Sequence, residues 1–203
     1  MKLVIDGQNG AGMELHGGVT FGEVIDEARR AGVVKDDQVV IAAMIDGRPV
    51  DPTTPESLDS TVGNEGRIEL QTVSSVDLLC GSVHDGREAI EQLVESCHQT
   101  ADKYRAENLV DASLAFSALS DQIIQVVRYV DDLTPYLPAD DGQTDALAEL
   151  HARFHDVLSE AVGFQKDADW VMLADVVDYE FPEVFGRFDQ LLADYETALA
   201  VVR

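Results

Sequence analysis

Cysteine is scarce in this chain: Cys80 and Cys97 are the only two, and they form no metal-ligand pattern. That excludes a disulfide framework and a cysteine-rich zinc site, and it fits a reducing compartment. Cations are scarce as well, with 14 Lys and Arg against 39 Asp and Glu and a formal net charge of −25. Nucleic acids and anionic membranes are held by basic clusters, so neither is expected as a partner. Long apolar runs are missing too. The longest, Val39 to Ile45, is far short of the ~20 residues that span a bilayer, and the opening Met1 to Gly7 has no apolar signal core. A cytoplasmic location is the expectation. No G-x-S-x-G elbow, phosphate-binding P-loop or G-x-G-x-x-G turn occurs, so the common nucleophile and nucleotide motifs give no enzyme assignment.

What is present is enough apolar residue for real cores, 45% of the chain, arranged with two different periods. Up to about residue 73 the pattern reads as short, turn-bounded strands, and from about residue 86 it reads as helix. The organisation expected is therefore a module over 1–73, a linker over 74–85 and a helical module over 86–203. Acidity is concentrated in the second part, where 8 basic residues face 26 acidic ones after Val76. A solvated acidic surface, adaptation to high salt and a face that receives a basic partner all fit this excess.

In the first module Lys2 to Ile5 is a β-prone run, and the turn residues Gly7, Asn9, Gly10 and Gly12 predict a hairpin whose second strand begins over Met13 to His16. Thr20-Phe21-Gly22-Glu23 is a capping box, so a helix should start there with Phe21, Val24, Ile25 and Ala28 on one face and Gly32 just past its end. Val39 to Ile45 reads as a strand covered on both faces, and Asp46-Gly47 as a tight hairpin turn. Pro49 suits a short edge strand, and Arg67 to Gln71 alternates with Ile68 and Leu70 inward.

This ββαββ order, with its capped helix and the Met44 to Val50 hairpin, resembles the β-grasp or ubiquitin-like fold. The resemblance implies a scaffold or docking role, since the other functions of that fold lack their residues here. The closing strand runs on into Thr72-Val73-Ser74-Ser75 where a carrier protein would end in Gly-Gly, no cysteine of a ferredoxin cluster lies in the module, and the hairpin edge lacks the basic charge of Ras-binding versions.

The second module predicts four helices. Ile90, Leu93, Val94, Cys97, Ala101 and Tyr104 form one stripe over about 87–107, and Ala112, Phe116, Leu119, Ile123, Val126 and Val130 another over about 109–133, ended by Pro135 and Pro138. A third stripe covers about 144–162. From Trp170 onward apolar residues keep one phase across Pro182, which predicts a single, Pro-kinked last helix. Met172, Val176 and Tyr179 form a second apolar stripe on its opposite side and are candidate partner-binding residues. The whole is expected to be α+β: a β-grasp module followed by an antiparallel four-helix bundle. The segment Trp170 to Glu180, with Pro182 after it, resembles a signature of uncharacterised bacterial helical proteins, and the bundle resembles flagellar export chaperones. That likeness implies binding of an amphipathic helix from a secreted subunit.

Histidines are the remaining chemistry. Glu95-x-x-His98 has the spacing of a di-iron ligand pair, but that site needs the motif twice and the chain holds it once. His151-x-x-x-His155 puts two rings on one helical flank, and with His98 could form a three-His site for zinc or another divalent transition metal, a constellation that resembles the metal-binding DinB-like bundles. Cys97 sits on a core stripe, where a thiol is an inert small hydrophobe. The leading expectation is a non-enzymatic protein-protein interaction module without cofactor, an adaptor or chaperone-like protein that binds another protein or itself as a homodimer. A metalloprotein using His98, His151 and His155 is the alternative.

Overall fold

A computed structural model describes residues 2–9, 18–63, 67–137 and 141–202. The architecture is mixed α+β, an N-terminal sheet followed by a mostly helical region, and the chain divides into two compact units, Met1–Leu78 and Leu79–Arg203.

In the first unit, β1 (Lys2–Ile5) turns back through Asp6 and Gly7, both at positive φ, into β2 (Gln8–Asn9). Two successive left-handed residues make the tight turn that matches strand twist, and Asp-Gly is the dipeptide suited to it. The return strand thus begins at Gln8, earlier than expected, and the anticipated strand over Met13 to His16 lies outside the described residues. The Asp6 carboxylate also accepts from Thr72 N at 2.8 Å and Thr72 Oγ1 at 2.7 Å, which ties the turn to a distant strand.

Helix α1 (Phe21–Arg30) starts with the expected reciprocal cap. Thr20 N donates to Glu23 Oε2 at 2.8 Å, and Glu23 N to Thr20 Oγ1 at 3.2 Å. Thr20→Ala removes one acceptor for an otherwise orphaned N–H, so it should lower stability by about 1 kcal/mol in chemical denaturation. Gly32 follows the helix at φ +69, the left-handed conformation that favours glycine.

Strands β3 (Gln38–Ile45) and β4 (Arg48–Val50) flank the Asp46-Gly47 turn, a single helical turn α2 spans Pro55–Leu58, and β5 (Arg67–Ser74) closes the unit. The sheet order is β2-β1-β5-β3-β4, with β5 parallel to β1 and antiparallel to β3. Pro49 lies in β4, which pairs only with β3 and so needs no N–H on its free side. The double coverage expected for Val39 to Ile45 is not what forms. A register shift between Val40 and Ala42 interrupts the strand, and Ile41 and Met44 are 49% and 41% exposed while Val40 and Ala43 are buried. The buried cluster lies on one face, where α1 sends Phe21, Val24 and Ala28 against Leu3, Ile68 and Leu70.

Helix α3 (Ser75–Arg105) follows β5 without a break, so the stretch 74–85 expected as linker is the end of a strand and three helical turns. Its Ser74-Ser75 and Gly81-Ser82 suggest a loop, but Val83, Gly86 and Ile90 are buried in helical register and packing overrides the low propensity. Gly86 lies at a close approach, since a Cβ there would meet Tyr129 Cε1 at 3.0 Å and Leu192 Cδ1 at 3.2 Å and crowd both side chains. Helix α4 (Leu109–Leu133) ends in a short 3₁₀ turn, Thr134–Tyr136, where Pro135 interrupts it. Helix α5 (Asp141–Lys166) follows, then α6 (Trp170–Asp175), a π-helical segment (Val176–Glu180) and α7 (Phe181–Val202). Leu93, Cys97, Ala101, Leu119, Val157, Ala161, Leu173, Phe181 and Leu192 are among the fully buried side chains of this unit.

Candidate functional site

The expected single helix beyond Trp170 is helical to Val202, and its accommodation of Pro182 produces the most distinctive chemistry in the molecule. Proline has no N–H, and its ring collides with the carbonyl four residues back, here that of Asp178. The chain answers with one π turn: Phe181 N–H reaches past Val177 to the Val176 carbonyl. An inserted residue shifts the buried stripe, so three consecutive residues, Val176, Val177 and Asp178, all face inward. Three in a row subtend about 200° of an α-helix, wider than a single apolar stripe.

Asp178 therefore enters the protein as a carboxylate and needs hydrogen-bond donors. Helix α3 supplies them from positions seven apart, two turns along one flank. His98 Nδ1 lies 2.6 Å from Asp178 Oδ1, and Arg105 Nη1 donates to Asp178 Oδ2 at 2.7 Å. The second arm of the Arg105 fork donates to Asp175 Oδ1 at 3.0 Å, and its guanidinium carbon lies 5.6 Å from the centre of the Tyr179 ring. Burial pushes the Asp178 carboxyl up, but the hydrogen bonds from His98 and Arg105, aided by their charges, outweigh it and hold the group below the usual carboxylate range. Asp178 and Asp175 in turn raise Arg105 above its ordinary value, chiefly through the hydrogen bonds. A second arginine, Arg153 of α5, pairs with Glu180 in the same π segment.

Both oxygens of Asp178 are thus engaged and the group stays ionised at neutral pH. It is a poor general acid, and the neighbouring thiol is no better as a nucleophile. Cys97 is fully buried, and burial together with the Asp178 charge pushes its pKa up to about 12. A thiolate does not form there at neutral pH. The cluster acts as an ionic tie between α3 and the π segment.

The π turn also aims Phe181 into an aromatic group. Phe181 stacks on Phe185 at 5.9 Å between ring centres, and Phe154 of α5 lies 6.3 Å from Phe181 and 6.4 Å from Phe185. Above these rings α4 and α5 leave an open groove of about 280 Å³. Phe116, Ile123, Ile124 and Val127 of α4 line one wall, and Leu158 of α5 lines the other. Ser120 and Arg128 are its polar lining residues.

A family model described as "Domain of unknown function (DUF8042)" matches residues 82–191, more than half of the chain. The chain belongs to the DUF8042 family. The DUF8042 region runs from within α3 into α7, so it contains His98, Arg105, the π segment and the whole groove, and it excludes the sheet. No curated protein and no solved structure matches the chain.

The residues singled out from sequence are placed as follows. His98 holds Asp178, whereas His151 Nε2 lies 3.0 Å from Asp131 Oδ1 of α4 and its ring packs 5.9 Å from Phe188. His155 is exposed. Among the described residues no group of three or more His, Cys, Asp or Glu side chains is arranged to hold a metal, so the three histidines are not brought together as ligands. His151 and His155 stand one turn apart on α5, but His98 of α3 is engaged by Asp178 and His151 by Asp131 of α4. Met172, Val176 and Tyr179 do not share a face. Val176 is buried, while Met172 is 42% and Tyr179 64% exposed. Sequence reasoning missed Asp178 and Arg105 as a pair. Two signals carry them: Pro182 four residues after Asp178, and His98 seven residues before Arg105.

Proposed function

We propose that this DUF8042 protein is a non-enzymatic protein-interaction module, adaptor-like or of the secretion and flagellar chaperone type, working in the cytoplasm. The observation that carries the reading is the apolar groove between α4 and α5, a solvent-open concavity with few polar groups to orient a small substrate. The convergent polar groups are spent elsewhere. Asp178, His98 and Arg105 satisfy one another, and Cys97 is held as a thiol. On this reading the helical unit is an antiparallel four-helix bundle made of α3, α4, α5 and the α6-to-α7 segment. The strand order β2-β1-β5-β3-β4, with β1 parallel to the central β5, supports reading the first unit as a β-grasp scaffold. Exposed Met172 and Tyr179 are a second contact region available to a partner.

The test is co-purification from the native host of the intact chain and of an Ile124→Asp/Leu158→Asp variant. Both positions are exposed, so the substitutions should leave the fold and its circular dichroism unchanged. A defined protein recovered in stoichiometric amount with the parent chain and lost with the variant is the expected result. A chain that is monomeric and recovers no partner would overturn the reading.

A further inference from the structure

Charge narrows what can fill the groove. Building on the interaction reading above, we infer that its occupant is an amphipathic helix from a different, basic protein, with large apolar side chains repeating once per turn on one face and Lys or Arg on the flanks. Shape selects a helix. Ile123 and Val127 stand one turn apart on the first wall, and Phe154 and Leu158 one turn apart across from them, so apolar groups recur along the groove at the interval of a helix laid into it. Arg128 and Ser120, the polar lining residues, are too few to fix a small polar ligand.

Charge selects the partner. The chain carries a net charge of −25, and the helical region holds 26 of the 39 acidic residues. A second copy docking here brings the same charge against it, and an anionic lipid surface is repelled in the same way. A basic helix is drawn in, and like-charged competitors are rejected by the same field. Asp121 is exposed on α4 one turn before Ile124, which puts a carboxylate beside the groove wall.

The experiment uses the full chain and three labelled synthetic helices with one common apolar face, flanked by Lys, by Gln or by Glu, read by fluorescence anisotropy. The Lys helix should bind at least about tenfold more tightly than the Glu helix, and the difference should shrink between about 50 and 500 mM salt. Ile124→Asp and Leu158→Asp should each weaken the Lys helix about tenfold or more. Equal binding of the three helices would overturn the basic partner and leave the groove reading standing. Binding insensitive to both substitutions would move the site off the groove and overturn the inference, as would a dimer in light scattering that Leu158→Asp abolishes. Failure of all three helices, alongside an intact fold, overturns the helix as occupant, and the co-purification above decides separately whether a protein partner exists.

Discussion

Asp178→Ala should destabilise the protein by about 2–3 kcal/mol, seen as a lower midpoint in urea denaturation followed by circular dichroism. The Asp178 side chain is 11% exposed and its carboxylate accepts from both His98 and Arg105, so its removal leaves the imidazole without this partner and the guanidinium with Asp175 alone of the two aspartates of the π region. Both partners are partly open to water, with side-chain exposures of 47% for His98 and 38% for Arg105, which keeps the loss at the lower end of what breaking a buried pair costs. The pH dependence has a definite sign. A carboxyl whose folded pKa lies below its unfolded value contributes fully above the unfolded value, near 3.8, and loses that contribution as pH falls through the folded one. The stability gap between the parent chain and Asp178→Ala should therefore be full at neutral pH and close on acidification below about pH 4. A gap that stays constant from neutral pH to pH 3, or a variant as stable as the parent, would show that the ionic tie contributes nothing.

Much of the architecture was legible because it rests on local rules. The Thr20/Glu23 capping box, the Asp46-Gly47 turn and the helix over Leu109–Leu133 are each specified by a few adjacent residues, and each forms where expected. The errors share one cause, a competition that sequence spacing does not resolve. Gly81 and Ser82 read as linker, yet the helix runs through them, and Gly86 just beyond lets Tyr129 and Leu192 approach α3. Val39 to Ile45 reads as doubly covered, but an irregularity between Val40 and Ala42 resets which side chains face the core. Gly7, Asn9, Gly10 and Gly12 spread the turn signal over several positions, whereas the chain turns at Asp6-Gly7 and pairs again from Gln8.

The candidate site was less legible for a related reason. Pattern reading assumes 3.6 residues per turn throughout, and the π segment breaks that assumption over Val176–Glu180. Under an unbroken period Asp178 belongs to a solvated flank in an acidic chain, and Val176 pairs with Met172 and Tyr179 on an outer stripe. In the folded chain Val176, Val177 and Asp178 face inward together, at the turn that the inserted residue widens. Proline in a helix was read as a kink, and its second consequence, a widened turn that buries a charge, shows only once His98 and Arg105 are seen to converge on it.

Phe181→Ala and Phe185→Ala together separate the core from the groove. Both side chains are fully buried and lie in one stacked pair against Phe154, so each truncation should cost about 3–5 kcal/mol through lost burial and a residual cavity. Only Phe181 lines the groove. Its removal deepens the groove floor directly beneath an incoming helix, whereas removal of Phe185 leaves a void behind that floor. At a temperature and denaturant concentration where both variants remain folded, Phe181→Ala should weaken binding of the Lys-flanked helix well beyond any effect of Phe185→Ala. The comparison matters because either variant alone is ambiguous, since a destabilised protein binds less for reasons unrelated to its surface. Equal stability losses with unequal binding losses would tie recognition to the residue that the π turn positions. Equal losses in both would mean that the aromatic group supports the fold alone, and that the insertion forced by Pro182 aims no side chain at a partner.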